Sequence, residues 1–363
     1  MKLISVDFLK ENDIIAEPVM SDNFQILLGK GTLLKNEYIP KLKELGIYEV
    51  YIEDGTEEVR EYSQKSPAYK IKEKRIEIRE ACVNQVKKIL KRHIYQNGKE
   101  LSKLKQSVNE ILDDILSEPD MVKCIYEIQE REPDIFEHTL NVCSMSMIVA
   151  LKMKLDKKDI KELGTAAMLH DLGLMYITVP YENRELSNLS AEEQGEYKKH
   201  TIYGYTVLFN EKWLSEQEKH MILCHHENLT GGGYPLHMDQ LSILSQILAV
   251  CDIMDEMICG IGYKRRKIWE VISYLEEIKG TYYYDSIIKT ICSFVMVYPK
   301  GTKLILDDGS VGVVVKQNEN SPKRPIIQII TRGSRLKNVS KEAVTLIDLQ
   351  KEKEYEILKV EER

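Results

Sequence analysis

The stretch His225-His226-Glu227-Asn228-Leu229-Thr230-Gly231-Gly232-Gly233-Tyr234-Pro235 sets two adjacent imidazoles and a carboxylate before a glycine-rich segment. Ser215 and Glu218 form a capping-box pattern that opens a helix running to the histidine pair. Upstream, an apolar helical run (Leu163, Ala166, Ala167, Leu169) delivers His170-Asp171, with Gly173 as a helix stop. Pro133 suits the first turn of a helix, where its missing N–H is not needed. A helix starting there sets Asp134 and His138 one turn apart on one face. His200 precedes Thr201-Ile202-Tyr203-Gly204, and Asp252 follows the apolar Ile247-Leu248-Ala249-Val250-Cys251. An unpaired carboxylate at Asp252 would be costly.

Each of these residues has an ordinary reading when taken singly. A lone buried histidine is usually a hydrogen-bonded core residue, and a lone buried aspartate is usually a cap or an ion-pair partner. The pair His225-His226 could be one buried and one exposed residue. Their joint occurrence on successive helices of one bundle points further. Imidazole and carboxylate donors together suit Fe, Mn or Zn, and facing helices are a common way to assemble a dinuclear site. Asp171 is the natural bridging carboxylate.

Around this centre the sequence divides into four segments: 1–62, 63–131, 132–295 and 296–363. The first is an α+β module with short strands around Gln25–Leu28, a Gly29-Lys30-Gly31 turn, Thr32–Leu34, a helix over Glu37–Leu45 and a strand over Tyr48–Ile52. It holds no histidine, so no metal chemistry is assigned to it. In the second, Ile71, Ile78, Cys82, Val86 and Ile89, then Leu101, Leu104, Val108, Ile111 and Ile115, recur at helical spacing. Asn97-Gly98 between the two runs predicts a helical hairpin, and the basic residues Lys72 to Arg92 read as its solvated face, with an anion site as the alternative. The third segment is helical and carries seven of the eight histidines, only His93 lying outside. The fourth pairs Lys303–Leu306 with Val311–Val315 across Asp308-Gly309, adds strands at Ile326–Ile330 and Val344–Ile347, and predicts a small β-barrel-like module.

The formal charge of -7 argues against a DNA-coating role. No apolar run is long enough to span a membrane, and Met1–Lys10 lacks the core of a secretory signal, so a cytoplasmic location is expected. Seven dispersed cysteines without a C-x-x-C pair support neither zinc fingers nor a disulfide framework.

The constellation resembles the HD-GYP phosphodiesterases of bacterial cyclic di-GMP signalling. It does so over residues 134 to about 280, through His138, His170-Asp171 with Gly173, His200, His225-His226-Glu227, Gly231, Gly233-Tyr234-Pro235, and Asp252 with Asp255. The double histidine followed by Gly-Tyr-Pro separates this group from plain HD-domain hydrolases. The resemblance implies a central all-α helical bundle flanked by the N-terminal α+β and C-terminal β modules. It also implies metal ligation by His138, His170, Asp171, His200, His225, His226 and Asp252, with Asp134 at a third metal position. Two or three divalent ions, Fe or Mn, follow from it. So does hydrolysis of cyclic di-GMP to pGpG, and in some members on to GMP, centred on Asp171 and His200. Gly233, Tyr234, Pro235, Tyr263 and Lys264 are then expected to bind substrate. The flanking modules leave room for a homodimer contact or a signalling partner.

Four departures bear on activity. Leu174 stands where the family motif has a phosphate-contacting lysine, and Thr230 stands where an acidic residue is usual. Gly260-Ile261-Gly262-Tyr263-Lys264 replaces a D-R-P-Y-R stretch, and the loop from Gly173 to Pro180 is longer than usual. Metal binding is retained while phosphate recognition is weakened or rebuilt. Lys264-Arg265-Arg266-Lys267 reads first as a solvated basic turn, with replacement charge for the phosphate as the second reading. Weak activity is expected, and Leu174→Lys is expected to restore a contact. Two alternatives follow: a degenerate, non-catalytic nucleotide receptor with a structural metal site, and hydrolysis of a mixed GMP–AMP cyclic dinucleotide.

Overall fold

The computed structural model describes most of residues 2–52 and 301–336, together with 84–92, 100–117, 134–298 and 346–361. The stretches around Ile71–Cys82, Asn97-Gly98 and Pro133, on which part of the predicted hairpin and a helix start rest, lie outside the described residues. The chain forms two compact units, Met1–Asn84 and Gln85–Arg363.

In the first unit, β1 (Lys2–Ser5) pairs antiparallel with β4 (Glu49–Ile52), and β2 (Val19–Met20) pairs with β3 (Ile26–Leu28). One helix, α1 (Tyr38–Glu44), lies between β3 and β4 in sequence. Thr32–Leu34 does not fold back onto β3: Leu33 instead bridges Ile14. Alternate residues of β1 and β4 (Ile4, Val50, Ile52) join Val6, Leu9, Ile15 and Leu34 in one apolar core.

The second unit begins with α2 (84–92) and α3 (Leu104–Ser117), which bury Val86, Ile89, Leu104 and Val108 at helical spacing. The helical body continues as α4 (Ile135–Lys152), α5 (Lys157–Ala167), α6 (Ala191–Lys198), α7 (His200–Leu208), α8 (Glu216–Cys224), α9 (Ile243–Cys259), α10 (Ile268–Ile278) and α11 (Asp285–Phe294). Caps fix where these helices begin. The carboxylate of Asp134 accepts from Phe136 N and Glu137 N, Ser242 Oγ accepts from Ser245 N, and both halves of the Ser215/Glu218 capping box form. Glu218 also pairs with Lys105 of α3 at 3.2 Å, tying that helix to the bundle. Helices α4 and α9 are buried almost all round, mostly through apolar side chains, and form the centre of the bundle. Among the described residues no helix is long and apolar enough to cross a membrane.

After α11 the chain enters a five-stranded antiparallel sheet of order β8-β7-β6-β5-β9: β5 (Lys303–Leu306), β6 (Val311–Lys316), β7 (Ile326–Thr331), β8 (Leu346–Asp348) and β9 (Ile357–Glu361). The predicted hairpin is present, with Ile305 opposite Val311 and Gly309 at φ 82° in its turn. Strand β9 carries no strong alternation, and its pairing with β5 was not legible in advance. The guanidinium of Arg324 donates to the carbonyls of Leu349 and Tyr355 at 2.6 and 2.7 Å, holding the chain's return to β9.

Gly173 has a different role from the helix stop expected. It lies in a 3-10 turn, Leu172–Tyr176, that packs backbone to backbone on the start of α7. A Cβ there would run into the carbonyl of His200 and the N–H of Gly204. The requirement is close approach, not a left-handed backbone. Gly173→Ala should therefore destabilise the unit by about 1–3 kcal/mol or more, and shift His200, because backbone on both sides must give way. Thermal unfolding of the variant beside Gly195→Ala, whose added Cβ meets nothing, checks this.

Candidate metal centre

Five local features aim the donor atoms at one point. His138 sits in the first turn of α4, His170 and Asp171 follow α5, His200 opens α7, His225 caps the end of α8, and Asp252 lies mid-way along α9. His138, His170, Asp171, His200, His225 and Asp252 are all buried.

Backbone carbonyls set the orientation of three imidazoles. The Nδ1 atoms of His170, His200 and His225 donate to the carbonyls of Ala167, Tyr197 and Ile222 at 2.7, 2.7 and 2.8 Å. In a neutral ring this leaves Nε2 as a bare acceptor. His138 is turned the same way by Asp255, whose Oδ2 lies 2.9 Å from its Nδ1 and whose Oδ1 accepts from Asn141 Nδ2.

The bare nitrogens face each other and face carboxylates. His138 Nε2 lies 3.3 Å from His170 Nε2, and each is 3.1 Å from Asp252 Oδ1. His200 Nε2 lies 3.2 Å from His225 Nε2. Asp171 joins the two sets: Oδ2 is 3.4 Å from His138 and 3.5 Å from His170, while Oδ1 is 3.5 Å from His200 and 3.6 Å from His225. Both Asp171 oxygens, Asp252 Oδ2 and His226 Nε2 are buried without a hydrogen-bond partner. Lone pairs packed against lone pairs in a desolvated space call for cations. The donors divide into His138, His170, Asp171 and Asp252 on one side and Asp171, His200, His225 and His226 on the other. That is a chemically suitable set for two divalent ions.

The electrostatics carry the same message. Burial opposes charge on His138, but Asp171, Asp252 and Asp255 outweigh it and raise its pKa well above the ordinary imidazole range. Burial likewise works against ionising Asp171 and Asp252, yet the facing histidines hold both carboxyls below their usual range. For His200 burial wins and lowers the pKa to about 4, and His226 is lowered in the same way. The carboxylates hold negative charge and draw positive charge towards themselves.

Asp134 is not brought into the cluster. Its carboxylate is taken up by two backbone N–H groups at the start of α4 and by Lys87 at 3.2 Å, and it belongs to none of the donor groups found among the described residues. Glu256, which the sequence reading passed over, joins His226 and Asp252 in a further group and accepts from the Tyr197 hydroxyl at 3.3 Å. Burial, with Asp252 and Asp171 nearby, raises its pKa well above the carboxylate range. An acidic stripe at Asp252, Asp255 and Glu256 on one apolar helix was the signal available for it.

Next to the donors, the Tyr234 ring stacks on His226 with centroids 4.7 Å apart and planes at 25°. The buried carboxylate of Glu227 accepts from Leu236 N and Met238 N, so one side chain clamps the segment that carries Tyr234 and Pro235. Gly233 lets that segment pass against the backbone of His226 and Glu227, where a Cβ would collide. Burial, with Glu256 adding to it, pushes up the Tyr263 hydroxyl. Lys264 is exposed, and no described contact joins it to the donors.

Residues 123–288 match the family model described as HD domain, and residues 304–363 match the KOW domain associated with HD domain. The chain is 28% identical over 227 residues to the cyclic di-GMP phosphodiesterase PA4108 of Pseudomonas aeruginosa, covering 61% of this chain and 54% of that protein. It is 26% identical over 203 residues to the cyclic di-GMP phosphodiesterase PdeB of Borreliella burgdorferi, covering 55% and 53%. Residues 123–288 thus carry an HD domain, and the chain is similar to HD-GYP proteins. It spans about half the length of the curated relatives it matches. The fold is shared with Bd1817, an HDGYP protein from Bdellovibrio bacteriovorus, at a TM-score of 0.54 and 20% identity, over 80% of this chain and 97% of that one.

Two departures from the HD-GYP motif fall in one place. Leu174 and Ile261 are 2% and 1% exposed and pack together with Tyr197 and Cys259, with Ile135, Ile177, Tyr181 and Leu186 around them. The long loop after Gly173 holds the 260–262 segment: Glu182 bridges Ile261, Gly262 N donates to Tyr181 O, and Leu186 N donates to Gly262 O. Restoring lysine at position 174 alone would therefore bury an ammonium among apolar side chains, contrary to the gain expected from sequence. Leu174→Lys should lose about 3–5 kcal/mol of stability, whereas Leu174→Met should lose less than about 1.5 kcal/mol. Chemical denaturation of both variants measures the difference.

The shared position of Asp171 gives a second expectation. Asp171→Ala should remove ligands from both donor groups and lose metal more completely than His138→Ala. Metal analysis of protein prepared without oxygen or chelators reads this directly, and equal loss in the two variants would contradict it.

Proposed function

We propose that the HD domain is a metal-dependent phosphodiesterase that opens a cyclic dinucleotide, with cyclic di-GMP as substrate and pGpG as first product. The observation that carries this reading is the single carboxylate, Asp171, set between two histidine-rich donor groups whose buried oxygens lack partners. The names borne by the two relatives support the choice of substrate. Two divalent ions, iron or manganese, fit the donors described. When bound, they would supply Lewis-acid activation of the phosphodiester and of water for in-line attack.

The chain's own residues then have distinct tasks. Three backbone carbonyls and Asp255 hold the imidazoles in one tautomer, so no reorganisation is needed when a charged ligand arrives. Asp171 and His200 are the residues we place nearest the reacting phosphate. Tyr234, stacked on His226 and held through Glu227, offers a ring against which a base or ribose can rest. Gly233 and Pro235 shape the same segment, and we assign Tyr263 to the substrate as well.

Incubation of the full chain with iron or manganese and a panel of cyclic dinucleotides tests the proposal. Cleavage of cyclic di-GMP to pGpG is expected, and joint replacement of His225 and His226 by alanine should abolish it. Tight binding without cleavage, with every metal tried, would replace the enzyme by a receptor.

A further inference from the structure

The apolar cluster around Leu174 and Ile261 removes two cations from the place where the family motif puts them, yet a phosphodiester still needs charge beside the metal centre. The cations at the surface of this region differ in how far they are already engaged. Lys199 is paired with Glu196 at 2.8 Å, and Arg266 is paired with Glu185 at 3.0 Å. Lys198 is exposed, and among the described residues no carboxylate pairs with it. Its Nζ lies 5.4 Å from the centroid of the Tyr234 ring, the ring that stacks on His226.

The backbone makes this position firm. Lys198 is the last residue of α6, whose start is set by the Ser190/Glu193 capping box. Tyr197, one residue before it, is fully buried and holds the His200 ring through its carbonyl. The base of the Lys198 side chain is therefore fixed relative to the donor cluster, while its ammonium remains free to leave the ring face for a stronger acceptor. A cation–π contact at an exposed site is weak, and a phosphate oxygen would outcompete it.

We propose that Lys198 is the phosphate-binding cation of this HD domain, held at Tyr234 until a ligand phosphate arrives. It takes over the charge that the motif lysine and arginine supply elsewhere. The inference rests on the phosphodiesterase reading for its substrate, but not for the contact itself.

The test uses the full, metal-loaded chain and three variants: Lys198→Gln, Lys198→Arg and, as a control, Lys199→Gln. Turnover of cyclic di-GMP gives KM and kcat, and calorimetry with inorganic phosphate gives a binding constant that needs no turnover. Lys198→Gln should raise KM and weaken phosphate binding by about 10- to 100-fold, with the larger change in KM rather than in kcat. Lys198→Arg should recover most of the loss, and Lys199→Gln should stay within about twofold of wild type for a surface pair. If wild type turns over and Lys198→Gln matches it in both KM and phosphate binding, the proposal falls and the enzyme reading stands. If wild type cleaves no cyclic dinucleotide but phosphate binding still depends on Lys198, the enzyme reading falls and the proposal stands. Equal losses in Lys198→Gln and Lys199→Gln would reduce the effect to general surface charge and overturn the proposal.

Discussion

Three histidines that each give a proton to a backbone carbonyl, and so turn a bare nitrogen inward, constrain the rest of this fold. Once His170, His200 and His225 are held in that way, the space between them is filled with lone pairs. Asp171 and Asp252 add negative charge to it. Such an arrangement is unfavourable by itself, and the apolar helices α4 and α9 must hold it together against its own repulsion. The large buried centre and the caps that register each helix are thus conditions for the site as well as for stability. Close backbone packing at Gly173 and Gly233 serves the same end: each allows a donor-bearing segment to approach to a distance that a side chain would forbid.

Sequence carried much of this because donors of a metal centre must be particular residue types at the ends or on the inner faces of helices. The capping box before α8, the hairpin across Gly309 and the apolar run leading to His170 could be read directly. What escaped notice depended on tertiary contact. The 3-10 turn at Gly173 looks like a helix stop in a list of residues, since nothing local announces that α7 will lie against it. Asp134 has the right type and spacing for a ligand, but the unsatisfied N–H groups at the start of α4 claim its carboxylate first. The meeting of Leu174 with Ile261, far apart in sequence, could not be inferred from either residue.

That meeting changes how the motif departures are to be understood. Read separately, an absent lysine and an absent arginine are two deficits. In the fold they are one replacement, a charged rim exchanged for a continuous apolar contact that also anchors the long loop through Tyr181 and Leu186. Neither position can be reverted alone without leaving a charge in apolar surroundings. The change is a repacking of the wall beside the donor cluster.

The donors also come from widely separated parts of the chain, with His138 and His170 32 positions apart and His138 and Asp252 114 apart. Ions held at that junction would act as cross-links closing large loops, restricting the unfolded chain much as a disulfide does. Stripped of them, the domain would lose a staple as well as a reactive centre, and its lifetime against unfolding would then depend on the supply of metal. On the proposed reading, the capacity to react and the capacity to persist would be joined at a single carboxylate, Asp171.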